Sequence, residues 1–375
     1  MTETKFHPAD AATRAGFECF YNLEYDQAIR DFEQALKQHA DDPSAVNHLL
    51  SAVMFKELYR IGALDTELYA KNNFLTSKQF PIDPQAEKRI KALMEQALKL
   101  SQARLDRNSD DVDALYARGV TRGLRATYIG LIQKAWFAAL RSAVGARRDH
   151  ERVLQLSPGY TDAKTIVGVH NYVMGSLSFA MKAAVSIVGL GGSKTKGLQY
   201  LEDAANAGGE TSVDAKMALS MFLRREQRYP EALALVAGLV KDHPRNFLFA
   251  LEQANLLNAA GRGPDAIAAY RNLLDGDKQG LYPEAHIEMV SYGLGEALRG
   301  QRQYKEAAAA YDLAMESKKA DPEMKQKASL AAGEMYDLLS ERRIAVERYE
   351  LALNGNPERA QLAKKLLKQP YKIEN

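Results

Sequence analysis

The 375-residue sequence predicts an all-α chain of stacked helical hairpins, a solenoid with an irregular central section of long helices. Three observations lead there. A set of Gly, Ala and aromatic residues recurs at constant offsets, apolar residues keep a helical period where that set is lost, and the composition is that of an ordinary folded protein. With 46% hydrophobic and 26% charged residues, disorder, collagen and disulfide scaffolds are excluded. The lone Cys19 makes no intrachain disulfide and no multi-cysteine metal site. At about 150 residues per domain, the length fits two or three domains or one continuous array.

The first copy of the repeated set is Gly16, Tyr25, Ala28, Phe32 and Ala35. Gly295, Tyr304, Ala307, Tyr311 and Ala314 reproduce its offsets, as do Gly333, Ala345, Tyr349 and Ala352, closed by Pro357. Looser copies are Tyr229, Ala232, Val236 and Leu239 with Pro244, and Ala254, Gly261, Ala266, Tyr270 and Leu273. Helix-on-helix packing explains the choice of residues. Small side chains let two backbones approach, an aromatic fills the wedge beside the crossing, and Pro ends the second helix. One hairpin cannot bury its own apolar face, so neighbours must stack.

Between the first copy and the one at Ala232 the register is lost but helical periodicity remains. Leu49–Arg60 continues the first array, and Asp65–Pro84 reads as an irregular insertion. Pro84–Arg107 follows as one long helix, with Ile90, Leu93, Ala97, Leu100 and Leu105 on its apolar side. Asp110–Arg125 and Tyr128–Leu156 form a pair, then come Thr161–Gly175, Leu177–Gly189, a break at Gly191-Gly192, and Lys194–Ala207. Pro357–Lys368 is polar enough to cap the array. The organisation expected is 1–60, first helices; 61–208, central insertion; 209–368, C-terminal array with its cap.

The offsets of the five copies resemble the tetratricopeptide repeat, which implies a right-handed solenoid. The stretch Met174–Ala205, with Gly197, Leu198, Leu201 and Ala204, is similar to a segment of a eukaryotic tetratricopeptide family tied to inclusion-body clearance. Gly16–Phe32 also resembles the start of that family. The resemblance implies scaffold work, no catalytic residues and no cofactor. It also implies a concave groove lined by the first helix of each hairpin, where Phe17, Phe20, Met221, Arg224, Asn255, Asn258, Tyr292, Glu296 and Arg299 would face a peptide or helix. Co-chaperone members hold a terminal carboxylate with inner Lys and Asn. Here Leu251 stands where that Lys would precede Asn255, so a carboxylate clamp is not expected.

Charge is segregated along the chain. The net charge of +2 gives no pull toward nucleic acid, yet Ala114–Tyr200 carries twelve basic residues against three acidic ones. Arg118, Arg122 and Arg125 share one helix face, Arg141, Arg147 and Arg148 follow, and Gly119 and Gly123 would admit a close neighbour. Trp136 and the apolar run Val173–Leu190 lie in the same region. A solvated basic face over a core helix is the plain reading. The alternative is a peripheral membrane adaptor that attaches to an anionic surface through 114–190.

Catalytic patterns are missing. The seven histidines (7, 39, 48, 150, 170, 243 and 286) show no H-E-x-x-H. In Gly189–Thr195 the Lys does not directly follow the final Gly, so the run reads as a helix break and not as a phosphate loop. No G-x-S-x-G elbow occurs. The N-terminus lacks an export pattern, which predicts a cytoplasmic protein as the chain stands, or an exported one if a leader was removed. The expected partner is a protein or peptide; the oligomeric state is left open.

Overall fold

A computed structural model describes residues 6–67, 81–177, 191–282 and 284–373. Among these residues every regular element is helical: seventeen α-helices and one π-helical turn. They are α1 (Ala11–Tyr21), α2 (Tyr25–Gln38), α3 (Pro43–Arg60), α4 (Pro84–Leu105), α5 (Val112–Tyr128), α6 (Trp136–Leu156), α7 (Ala163–Ser176), α8 (Lys194–Asn206), α9 (Ser212–Arg225) and α10 (Tyr229–Asp242). After these come α11 (Phe247–Ala259), α12 (Gly263–Lys278), α13 (Ile287–Gly300), α14 (Tyr304–Glu316), α15 (Pro322–Leu338), α16 (Arg342–Leu351) and α17 (Pro357–Lys368). Packing divides the chain into two compact units at the His243–Pro244 bond, and within each unit consecutive helices lie against one another. Of the sequence-level expectations, the helix over 178–189 and most of the 65–84 insertion lie outside the described residues.

The five repeat copies share one turn. Leu23, Gln227, Gly261, Arg302 and Ser340 all have positive φ, between 59° and 74°. The residue after each donates its backbone N–H to a carbonyl five positions back. These bonds are Glu24 to Cys19, Arg228 to Leu223, Arg262 to Leu257, Gln303 to Leu298 and Glu341 to Tyr336, at 2.8–2.9 Å. This is the Schellman closure, and the donor is at once the first residue outside the next helix.

Above the turn the repeated small residue meets the repeated aromatic. A Cβ placed on Gly16, Gly295 or Gly333 would lie 2.5 Å from the ring of Phe32, Tyr311 or Tyr349, so only glycine fits under these rings. Ala254 breaks this pairing with Tyr270, and the ring instead presses on Gly293 of the following repeat, where a Cβ would come within 2.7 Å. The anchor alanines Ala28, Ala232, Ala266, Ala307 and Ala345 are fully buried.

The middle section departs from the expected single helix over Tyr128–Leu156. After α5 the backbone widens into a π-helical turn, Ile129–Gln133, Lys134 takes a left-handed φ of 53°, and α6 begins afresh at Trp136. Two contacts hold the break. The Ala135 N–H bonds to the Ile129 carbonyl at 3.3 Å, and the Trp136 ring settles over Gly130, which leaves it room. Among the described residues no helix is long and apolar enough to cross a membrane.

Candidate functional site

Two surfaces in separate units collect most of the residues singled out from the sequence. The first is a cleft of about 650 Å³ between α4, α5 and α6. Arg118, Arg122 and Arg125 project into it from one face of α5, Arg141 and Arg148 from α6, and Lys99 from α4; no acidic side chain lines it. Five of the six arginines of the expected basic patch thus converge. The sixth, Arg147, turns away, donating to Glu151 at 2.9 Å and to His170 Nε2 at 3.0 Å.

Glycines bring α5 and α6 close enough to make the cleft. A Cβ on Gly119 would fall 2.4 Å from the His150 ring, and one on Gly145 would lie 3.1 Å from Arg122 Cδ. His150 is fully buried, and burial pushes its imidazole down to about 4, so it packs as a neutral ring. Nδ1–H donates to the Ala146 carbonyl at 2.8 Å. His170 is also held down to about 4 by burial, then by the Arg147 guanidinium beside it.

One carboxylate organises the arginines. Asp149, 4% exposed, accepts two hydrogen bonds from Arg118, at 2.7 and 3.1 Å, and one from Arg122 at 2.6 Å. Arg118 spends its remaining amino group on Gln102 at 3.1 Å. Arg125, Arg141 and Arg148 are exposed and have no ion-pair partner among the described residues. Sequence reasoning missed Asp149 and Lys99. Asp149 was legible, being the first acid after a run of thirty-five residues without one.

The second surface runs along α11, α13 and α15, the first helices of successive hairpins. Here three buried tyrosines of the second helices, α12, α14 and α16, reach across to polar residues of the first ones. Tyr270 donates to Asn255 at 2.7 Å, Tyr311 to Glu296 at 2.6 Å and Tyr349 to Asp337 at 2.8 Å. Asn255 and Glu296 therefore satisfy phenols that burial would otherwise orphan. Arg299 pairs with Glu334 at 2.8 Å, and Asn258 and Tyr292 are half-buried, with the Lys327 ammonium 4.1 Å from the Tyr292 ring centre.

The end of the chain returns to this face. After α17 the backbone turns extended at Gln369. The Tyr371 N–H donates to Asp337 Oδ2 at 2.7 Å, and its phenol oxygen accepts from Arg299 at 3.0 Å. Arg342 braces the approach by bonding the Leu366 and Leu367 carbonyls, each at 2.8 Å. The spacing of 72 residues between Arg299 and Tyr371 left no sequence signal.

The remaining groove candidates belong to the N-terminal unit. Phe17 and Phe20 are each 8% exposed and sit in an aromatic cluster, Phe17 against Phe6, Phe32 and His48, and Phe20 against Tyr25 and Phe55. Met221 is half-buried, and Arg224 forms an ion pair with Glu67. Beside them Tyr21 donates to Asp214 at 2.9 Å and His48 bonds Glu210 at 3.0 Å. Protein crowding around Asp214, with Glu210 and Asp162 nearby, raises its carboxyl to about 6 although its rim is open to solvent.

Comparison with known proteins bears on the repeats. The tetratricopeptide repeat family model matches residues 217–285 and 251–323. No curated protein sequence matches the chain. Among solved structures the chain is similar to yeast Tom70, at 12% identity and a TM-score of 0.44 over 95% of this chain and 87% of that one. Another is PilF of Pseudomonas aeruginosa, at 14% identity and 0.44 over 69% and 99% of the two chains. A third is a tetratricopeptide repeat protein of Parabacteroides merdae, at 12% identity and 0.38 over 85% and 97%. The family match over 217–323 and the turn built five times from unlike residues agree, and on them this chain carries tetratricopeptide repeats.

Proposed function

We infer that the chain is a non-enzymatic scaffold that binds an extended peptide segment of a protein partner along the first helices of its C-terminal repeats. The observation supporting this is the seat of Tyr371. A non-helical stretch of the chain itself, entered through the extended Gln369, rests on Arg299 and Asp337 through one backbone and one side-chain hydrogen bond, as a bound peptide would. Tyr292 and Lys327 continue along the same two helices, and Asn258 lies on α11 of the preceding repeat.

A defined probe tests this. A synthetic peptide covering 366–375 is titrated into the chain truncated after Lys368 and followed by fluorescence anisotropy. Saturable binding, weakened roughly tenfold or more in Arg299→Ala, is the expected result. No binding by a truncated chain of undiminished helicity would refute the reading.

A second reading is peripheral attachment to an anionic membrane through 114–190. It is favoured by Phe137, 89% exposed and four residues from Arg141 on α6, an apolar side chain beside a cation with no ion-pair partner among the described residues. Flotation with anionic vesicles decides it: salt-sensitive binding that Phe137→Ser abolishes is expected, and absence of flotation ends the idea.

A further inference from the structure

The geometry points to the arginine cleft between α4, α5 and α6 as a binding site for a multiply charged phosphate group. Four features carry the assignment. The cleft, about 650 Å³, is of the size that holds a small ligand. Its lining holds six basic side chains, and among the described residues the only carboxylate that neutralises them, Asp149, lies buried behind them. The charge left over is far more than one carboxylate ligand would balance. Like charges held together at a surface raise the free energy of the fold, and an anion between them removes that strain.

Pre-organisation separates this cleft from an ordinary basic surface. Asp149 and Gln102 lock the Arg118 fork in place, and Asp149 holds one amino group of Arg122 while leaving the rest of that guanidinium unspent. Gly145 keeps the floor beneath Arg122 open. Arg125, Arg141 and Arg148 approach from two helices, and none of their N–H groups has a partner among the described residues. Planar guanidinium forks converging from opposite sides suit the tetrahedral oxygens of phosphate, each fork taking two. A planar carboxylate offers two oxygens and satisfies one fork. The site makes no use of the surface along α11, α13 and α15, so it stands or falls apart from the peptide reading.

The phosphate can come free or on a lipid headgroup, and the test separates the two. Full-length chain is titrated at low salt with inorganic pyrophosphate and with inositol hexakisphosphate, read by calorimetry and by Trp136, the only tryptophan, which begins α6. A parallel arm uses phosphatidylcholine vesicles with and without phosphatidylinositol 4,5-bisphosphate. Saturable micromolar binding of a soluble probe, or selective binding of the phosphoinositide vesicles, supports the assignment and identifies the source.

The combined variant Arg125→Gln, Arg141→Gln, Arg148→Gln removes three exposed side chains that have no partner among the described residues, so the fold should stay intact by circular dichroism. It should weaken binding by about a hundredfold or more, whereas Lys364→Gln with Lys365→Gln, on α17, should leave it unchanged. Three results would overturn the proposal: no binding in either arm, full binding by the triple variant, or citrate binding as tightly as pyrophosphate.

Discussion

At the scale of single residues, glycine at a repeat position means different things in different places. Under Tyr311 the Gly295 position has no space for a methyl group, so Gly295→Ala should destabilise the chain by roughly 1–3 kcal/mol. Gly238, inside α10, has nothing within 4 Å of a would-be Cβ, and Gly238→Ala should stabilise by about 0.5–1 kcal/mol. Urea titration of both variants checks the pair; equal signs would refute the packing argument.

Buried imidazoles add a pH dependence. His150 and His170 titrate near 6.5 when unfolded and near 4 when folded, so the unfolded chain binds more protons between those values. Stability is therefore full above about pH 6.5 and falls as the pH drops toward 4, by roughly 2–3 kcal/mol for the fully buried His150. Asp214 works the other way in the same window, because its raised carboxyl favours folding at the acid end. His150→Gln should flatten the acid limb of a stability–pH curve, and Asp214→Asn should steepen it. Residues of this kind were only partly legible. Gly295 announced itself by its offset from Ala307, but nothing in the sequence marked His150 as sealed beneath Gly119.

At the scale of elements, the shared Schellman turn puts ordinary L-residues in a left-handed conformation that glycine adopts freely. Gly261 occupies the position in one copy, and Arg302 and Ser340 occupy it in two others. Arg302→Gly and Ser340→Gly should each raise stability by roughly 0.5–1 kcal/mol, seen as a higher thermal midpoint without change in the α-helical spectrum. A lower midpoint would mean that the side chains make contacts worth more than the strain.

The repeat copies were readable because hairpin packing imposes constant offsets on small and aromatic residues. The central helices were readable as helices but not in their breaks. The π-helical turn before Lys134 is held by a Trp136–Gly130 contact and a wide backbone bond, and it uses none of the Pro or Asn punctuation that sequence reasoning relies on. The arginine cleft was half visible. The charge run named five of its residues and ended at Asp149, but that Asp149 braces them, and that Lys99 joins them, emerged only when α4 and α6 were placed beside α5.

At the scale of the whole molecule, each helix packs chiefly on its sequence neighbours, so unfolding need not be a single event. Trp136 lies in the N-terminal unit and reports on that unit alone, whereas far-ultraviolet dichroism sums over all helices. Denaturant transitions followed by the two signals should not coincide; superimposable curves would show a cooperativity that nearest-neighbour packing does not account for.

Tyr371 has a consequence for selectivity. A segment tethered within a few residues of its own berth competes at an effective concentration in the millimolar range. If the face takes a peptide as proposed, a visiting strand would have to evict this resident before reaching Arg299 and Asp337, and only a sequence with a clear advantage over the resident aromatic would gain admission.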